Sequence, residues 1–273
     1  IYHKNLEPVA YVYAETVGRA PAEAILDVGA DELEPGSAVP VGAVPRPLSA
    51  RSYFSIGGGD PWALPAGTRA VATRRTRQLL DAFDAGAWSG AAAETLPNET
   101  FDTTHEITLG GKTVRASYLG RGHTSGDLVA LFVEDRVLHA GDLLFNHRYP
   151  NIDLEAGGSI EQWIGTLDRV LAMEGYDRVI PGHGAVTDRE GVRQFQSFLR
   201  EVWEQVSAAV RENRSLDETL RSVQLTQDAG YEAIAVPLVL RLDRDFVVKR
   251  AWQEASGAVV PRGPAAQDEE EQQ

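Results

Sequence analysis

The chain has 273 residues, 43% of them apolar, which suits one large domain, or one domain with a small appendage, around a proper core. Its formal charge of −14 argues against a nucleic-acid backbone or an anionic membrane as the main partner, since both demand basic surface. It has no cysteine, which excludes disulfides and thiolate-held metals, and no apolar run nears the roughly 20 residues that span a bilayer. The chain therefore reads as soluble, either cytoplasmic or exported after removal of a leader ahead of Ile1.

In chain order the pattern switches between strands and helices. Residues 10–17 and 24–26 read as strands; residues 67–72 read as another, leading into a helix over 73–83. Four prolines between 31 and 52 exclude a long regular helix there. Residues 113–119 and 128–133 are strand-like, and Glu134-Asp135 turns into a further strand over 136–139. Ser159 with Gln162 predicts a capping box for a helix whose apolar face is Ile160, Trp163, Ile164, Leu167, Val170 and Leu171. A strand over 177–180 follows, then a long helix capped by Thr187 with Glu190, a short one opened by Ser215 with Glu218, and a last one over 246–255. Strands alternating with helices predict an α/β (α+β) chain in which sheet is covered by helices. The expected organisation is a main domain over 1–214, a helical extension over 215–256 packed on it, and a disordered acidic tail over 257–273.

Three short segments carry the chemistry: Gly-His123-Thr-Ser-Gly-Asp127, His139-Ala-Gly-Asp142-Leu-Leu and Pro181-Gly-His183-Gly. Each sets a histidine or aspartate in a glycine-flanked turn behind an apolar run. A strand end is rigid, and glycine lets backbone approach an ion closely. Imidazole and carboxylate without thiolate suit zinc, manganese or iron. His123, Asp142 and His183 are the candidate ligands. One histidine in a glycine-rich loop is more often a simple hydrogen-bonding residue; three groups in the same context reverse that judgement.

The stretch from Gly120 to about Val210 resembles the second half of the metallo-β-lactamase fold superfamily, through these three segments, and Ile25-Leu26-Asp27-Val28-Gly29 resembles its early Val-Asp-Thr-Gly strand. The resemblance implies an αββα four-layer sandwich with the site along one edge of paired sheets. It implies that His123 serves one ion, His183 a second, and Asp142 bridges them. In active members it implies hydrolysis by a metal-bound hydroxide.

One family element is missing. No His-x-His-x-Asp-His cluster occurs in the chain; counted back from Gly58-Gly59, its four positions hold Arg51, Tyr53, Ser55 and Ile56. Each ion would keep two protein ligands, so zinc, manganese or iron is expected at partial occupancy at most, or not at all. Arg51, Tyr53 and Ser55 are alternatively simple loop residues or acid–base and oxyanion groups joined to His123, Asp142 and His183. The catalytic pair is read as Asp142 and His123. Substrate contacts are assigned to His147, Arg148, Tyr149, Arg51 and Tyr53, with His147 as readily a plain surface loop residue. The substrate is expected to be a small molecule such as an ester, thioester or lactone. An anionic substrate requires Arg51, Arg121 and Arg148 to converge. A metal-independent lyase, isomerase or cyclase and a non-catalytic binding module are the alternatives, and a homodimer is possible.

Overall fold

A computed structural model describes residues 2–4, 7–9, 69–83, 96–236 and 240–261. The strands expected over 10–17 and 24–26, the Pro-rich stretch, Asp27 and the 51–56 segment lie outside the described residues. The chain divides into two units, residues 1–70 with 84–98, and residues 71–83 with 99–273. In the first, β1 (Tyr2–Lys4) pairs antiparallel with β2 (Glu7–Val9). Asn98 there exchanges two hydrogen bonds with Ala70, donating its backbone N–H and accepting with its side-chain oxygen.

The second unit carries the site. β3 (Val71–Thr73) runs parallel to β4 (Glu99–Phe101) and passes straight into α1 (Arg74–Phe83). The Thr73 hydroxyl caps that helix by accepting from Thr76 N at 3.0 Å. Five strands then form one sheet in sequence order: β5 (Thr104–Leu109), β6 (Lys112–Ser117), β7 (Val129–Phe132), β8 (Val137–Phe145) and β9 (Arg178–His183). The first four are antiparallel neighbours joined locally. β9 is parallel to β8, so it needs a crossover, and α2 (Ile160–Ala172) supplies it. α3 (Arg189–Arg211) packs against α2; α4 (Leu216–Ser222), the antiparallel pair β10 (Ile234–Val236) and β11 (Leu240–Leu242), and α5 (Arg244–Ala255) complete the unit.

The core follows from the apolar spacing. Ile160, Trp163, Leu167 and Val170 of α2 are buried, as are Val192, Phe195, Phe198, Leu199 and Val202 of α3 and Leu138, Leu143, Leu144 and Phe145 of β8, and α3 packs on both α2 and β8. Trp163 stands edge-on to Phe145 and Phe195, at 6.3 and 5.5 Å between ring centroids, and its indole N–H donates to the Leu143 carbonyl at 3.1 Å. No helix among the described residues is long and apolar enough to cross a membrane.

Three local expectations are corrected. β8 does not stop at 139 but runs to Phe145, with irregular pairing to β9 between His139 and Phe145, so Asp142 lies within a strand instead of on a turn after it. Glycine at 141 imitates a turn signal, and its φ of +52° instead marks the bend inside the strand. The long helix is capped by Asp188, which accepts from Glu190 N, while Thr187 pairs with Val179. At α2 half of the capping box forms: Ser159 Oγ accepts from Gln162 N at 3.1 Å, and the remaining donors go to Glu254 of α5. That carboxylate accepts from Ser159 Oγ at 2.6 Å and Ile160 N at 2.8 Å. Burial raises its pKa against the effect of these donors. The box of Ser215 with Glu218 is complete.

Candidate active site

The His123 loop is shaped by its own aspartate. Asp127 accepts from Thr124 N at 2.9 Å and Thr124 Oγ1 at 2.8 Å, which closes the turn, and the hydroxyls of Thr73 and Thr76 hold the Gly126 carbonyl. The next contribution comes from mid-β8, where the bend at Gly141 presents Asp142. The third comes from the end of β9, where Gly182 lies so close to β8 that a Cβ there would stand 2.0 Å from Asp142 Oδ1 and 2.8 Å from the Gly141 backbone. Only glycine fits. Gly182→Ala is expected to push the Asp142 carboxylate out of place and to cost about 1–3 kcal/mol, read as a lower denaturation midpoint together with lost activity.

These elements bring the three motif side chains together. Asp142 Oδ1 lies 3.6 Å from His183 Nε2, and Asp142 Oδ2 lies 3.9 Å from His123 Nδ1. Asp127 Oδ1 is 3.7 Å from that same Nδ1, and the Asn151 amide nitrogen is 3.2 Å from His123 Nε2. The His183 ring stacks on Phe145 at 4.7 Å, which fixes its plane. Asp142 keeps 37% of its side chain exposed, against 18% for His123 and 26% for His183, so a small molecule reaches the carboxylate first.

The two imidazoles are driven apart in basicity. Burial by itself lowers the pKa of His123, but pairing with Asp127 and the charges of Asp127, Asp142 and Asp153 outweigh it and raise the value to about 9. Burial lowers that of His183; Asp142 opposes this, while His123 and Arg148 add to it. A cationic and a neutral imidazole then flank one carboxylate, the separation that assigns an acid and a base.

The segment over 146–149 is braced. Asn146 N donates to the His183 carbonyl at 2.8 Å and its side-chain amide to the Ala185 carbonyl at 2.8 Å. His147 is exposed, has a φ of +53° and meets Tyr231 edge-on at 5.7 Å. Arg148 pairs with Glu232 at 2.9 Å, and the Tyr149 hydroxyl donates to Asp228 at 2.8 Å. Burial raises the pKa of that phenol, and the Asp228 hydrogen bond raises it further. Arg121 is buried with its Nε donating to the Gly157 carbonyl, and Arg51, Tyr53 and Ser55 lie outside the described residues.

The donors are the nitrogen and oxygen types that zinc, manganese or iron accept. Among the described residues, however, no three His, Cys, Asp or Glu side chains converge on one point. A catalytic zinc takes about three protein ligands. The described residues do not by themselves fit such a shell.

Sequence reasoning gave no role to Asp127, although it stands in the quoted motif four residues after His123, and that spacing was the available signal. Asn151, Asp228 and Tyr231 belong to no motif and come to the site by folding alone.

A sequence profile of the metallo-beta-lactamase superfamily matches residues 42–183, just over half of the chain. The metallo-beta-lactamase type 2 of Bacteroides fragilis is 26% identical over 113 residues, 41% of this chain and 45% of that protein. Metallo-beta-lactamase IND-1 of Chryseobacterium indologenes is 28% identical over 120 residues, 43% of this chain and 46% of that protein. The matched region thus spans less than half the length of these relatives. Among solved structures, a metallo-beta-lactamase from Pontibacter korlensis aligns with a TM-score of 0.41 and 23% identity, covering 49% of this chain and 59% of that one. On the match to the family profile, the chain belongs to the metallo-beta-lactamase superfamily and shares its α+β fold.

Proposed function

We propose that the chain is a hydrolase of small activated acyl compounds, an ester, thioester or lactone, working at Asp142 between His123 and His183. The observation that carries this reading is the placement of one partly exposed carboxylate oxygen 3.6 Å from His183 and the other 3.9 Å from His123. Such substrates have good leaving groups and are the least demanding for a site short of ligands. In this arrangement neutral His183, with Asp142, takes the proton of an attacking water, and cationic His123 offers a proton or a positive charge to the departing oxygen or sulfur. Family membership supports hydrolysis; the substrate class rests on the site.

The test is a panel of nitrophenyl esters, acyl thioesters and lactones, run on wild type and His183→Ala with and without chelator, alongside metal analysis of both proteins. Turnover in the wild type and a loss of about 10²–10⁴-fold in His183→Ala are expected. No turnover across the panel, or equal rates in the two proteins, would sink the reading. Stoichiometric zinc, manganese or iron lost in the variant assigns the chemistry to a cation. Chelator-resistant turnover favours a second reading, acid–base catalysis without metal, which the lack of three convergent donors among the described residues supports.

A further inference from the structure

A cavity of about 410 Å³ opens between α2, α3 and α5, and none of His123, Asp142 and His183 lines it. Trp203, Ser207, Val210 and Arg211 supply one wall, and their spacing puts them on one face of α3 along about 12 Å of its axis. Arg189 at the start of α3 donates to the Leu171 and Met173 carbonyls, and Gln196 donates to the Ile164 carbonyl, so α3 runs antiparallel to α2. Trp203 therefore stands level with the start of α2, and Arg211 lies about two turns beyond it.

The start of α2 is the acidic end of this space. Glu254 accepts there from Ser159 Oγ and Ile160 N, and exposed Glu161 lines the same cavity. α5 is held in place by Arg250, one turn before Glu254: its Nε donates to the Ile152 carbonyl at 2.7 Å and its guanidinium pairs with Glu155. Burial, and to a lesser degree the like charge of Glu161, raise the pKa of Glu254. Among the described residues neither Glu161 nor Glu254 has an ion-pair partner, since the nearby arginines of α5 and of the turn after α3 pair elsewhere. Arg211, at the far end, is exposed and donates to Ser207 Oγ at 3.3 Å, with no carboxylate partner among the described residues. Opposite charges thus line one cavity without meeting. Between them, Trp203 has no ring partner and no acceptor for its indole N–H among the described residues, whereas Trp163 and Trp252 both donate to carbonyls.

We propose that this cavity is a second binding site, for a small elongated zwitterion such as a short peptide or an ω-amino acid: its ammonium lies between Glu161, Glu254 and the face of Trp203, and its carboxylate reaches Arg211. Such a molecule brings the opposite charge to each unpaired end. An ammonium over an indole face adds cation–π attraction, and a carboxylate suits the forked donors of a guanidinium. A simple cation leaves Arg211 without a partner, and a simple anion brings like charge to Glu161 and Glu254. The site stands apart from Asp142, so it goes beyond the hydrolase reading and does not rest on it.

The experiment is isothermal titration calorimetry of the full chain with the tripeptide Gly-Leu-Gly and with ε-aminohexanoate, each also in its N-acetylated and its C-amidated form. The better of the two free probes is expected to bind with a Kd of about 1 mM or below. Blocking either end of that probe is expected to weaken it about tenfold, the worth of one charged contact, and so are Glu161→Gln and Arg211→Gln. Both side chains are exposed, so these variants keep the fold, which an unchanged circular dichroism spectrum verifies. No heat from either free probe at about 10 mM, blocked forms that bind as tightly as the free ones, or binding that is unchanged in both variants overturns the proposal. The last of these results places the probe outside this cavity. Because no reading needs turnover, the proposal and the hydrolase reading fail separately.

Discussion

Trp163→Ala is expected to destabilise the protein by about 3–5 kcal/mol, the range for emptying a buried tryptophan site, and to lower the thermal midpoint by roughly 10 °C. The indole is fully buried, packs edge-on to Phe145 and Phe195, and satisfies the Leu143 carbonyl. Truncation opens a cavity between α2, α3 and β8 and leaves that carbonyl without its donor, and both costs add. The site should feel it as well. Gly122, next to His123, lies against this ring and Leu143: a Cβ at 122 would stand 3.1 Å from Trp163 and 2.4 Å from Leu143 Cδ2. The His123 loop thus rests on the indole. Denaturant unfolding followed by circular dichroism measures the effect; a loss below about 1 kcal/mol would show that the core collapses to fill the gap.

Asp142→Asn is expected to reduce hydrolysis by about 10²–10⁴-fold while shifting the thermal midpoint little. The substitution keeps size and removes the charge that both imidazoles face. His183 loses the neighbouring charge that raises its pKa, and His123 loses one of three carboxylates that raise its own. For His123 the direction follows from the sign of the shift. Its folded pKa of about 9 lies above the ordinary 6.5, so its stabilising effect is complete below pH 6.5 and is lost as pH rises through about 9. In Asp142→Asn the decline should still begin near pH 6.5 but end at lower pH and be smaller, because the folded pKa is raised less. Rates within threefold of wild type on every substrate of the panel would remove Asp142 from the chemistry.

The sequence made some of this legible. Apolar residues at helical spacing from Ile160 to Val170 marked the buried face of α2, and the order of the three motif segments pointed to side chains that are neighbours in the fold. Local patterns sufficed there because period and turn chemistry are local properties. They failed at Asp142, where a bend inside a long strand has the same glycine signature as a strand end. They also failed at Glu254, which reaches the start of α2 from 95 residues downstream and whose partners no local rule can name. Asn151 is of the same kind: an asparagine in a loop becomes informative only through the ring it meets. The segment holding Arg51, Tyr53 and Ser55 lies outside the described residues, so its readings stand as expectations.

Arg250 of α5 clamps the segment that follows β8, its Nε donating to the buried Ile152 carbonyl at 2.7 Å and its guanidinium pairing with Glu155, and this has a consequence for synthesis. Its two halves are separated by 98 residues in sequence. On a ribosome adding about 5–20 residues per second, the segment beside His123 is made several seconds before the guanidinium that locks it. Strands β5 to β8 can pair during that interval, because their contacts are with near neighbours. The backing of His123 cannot settle until the last helix emerges. The nascent chain therefore spends that time with its sheet formed and its reactive edge unassembled, which separates the acquisition of a fold from the acquisition of an activity.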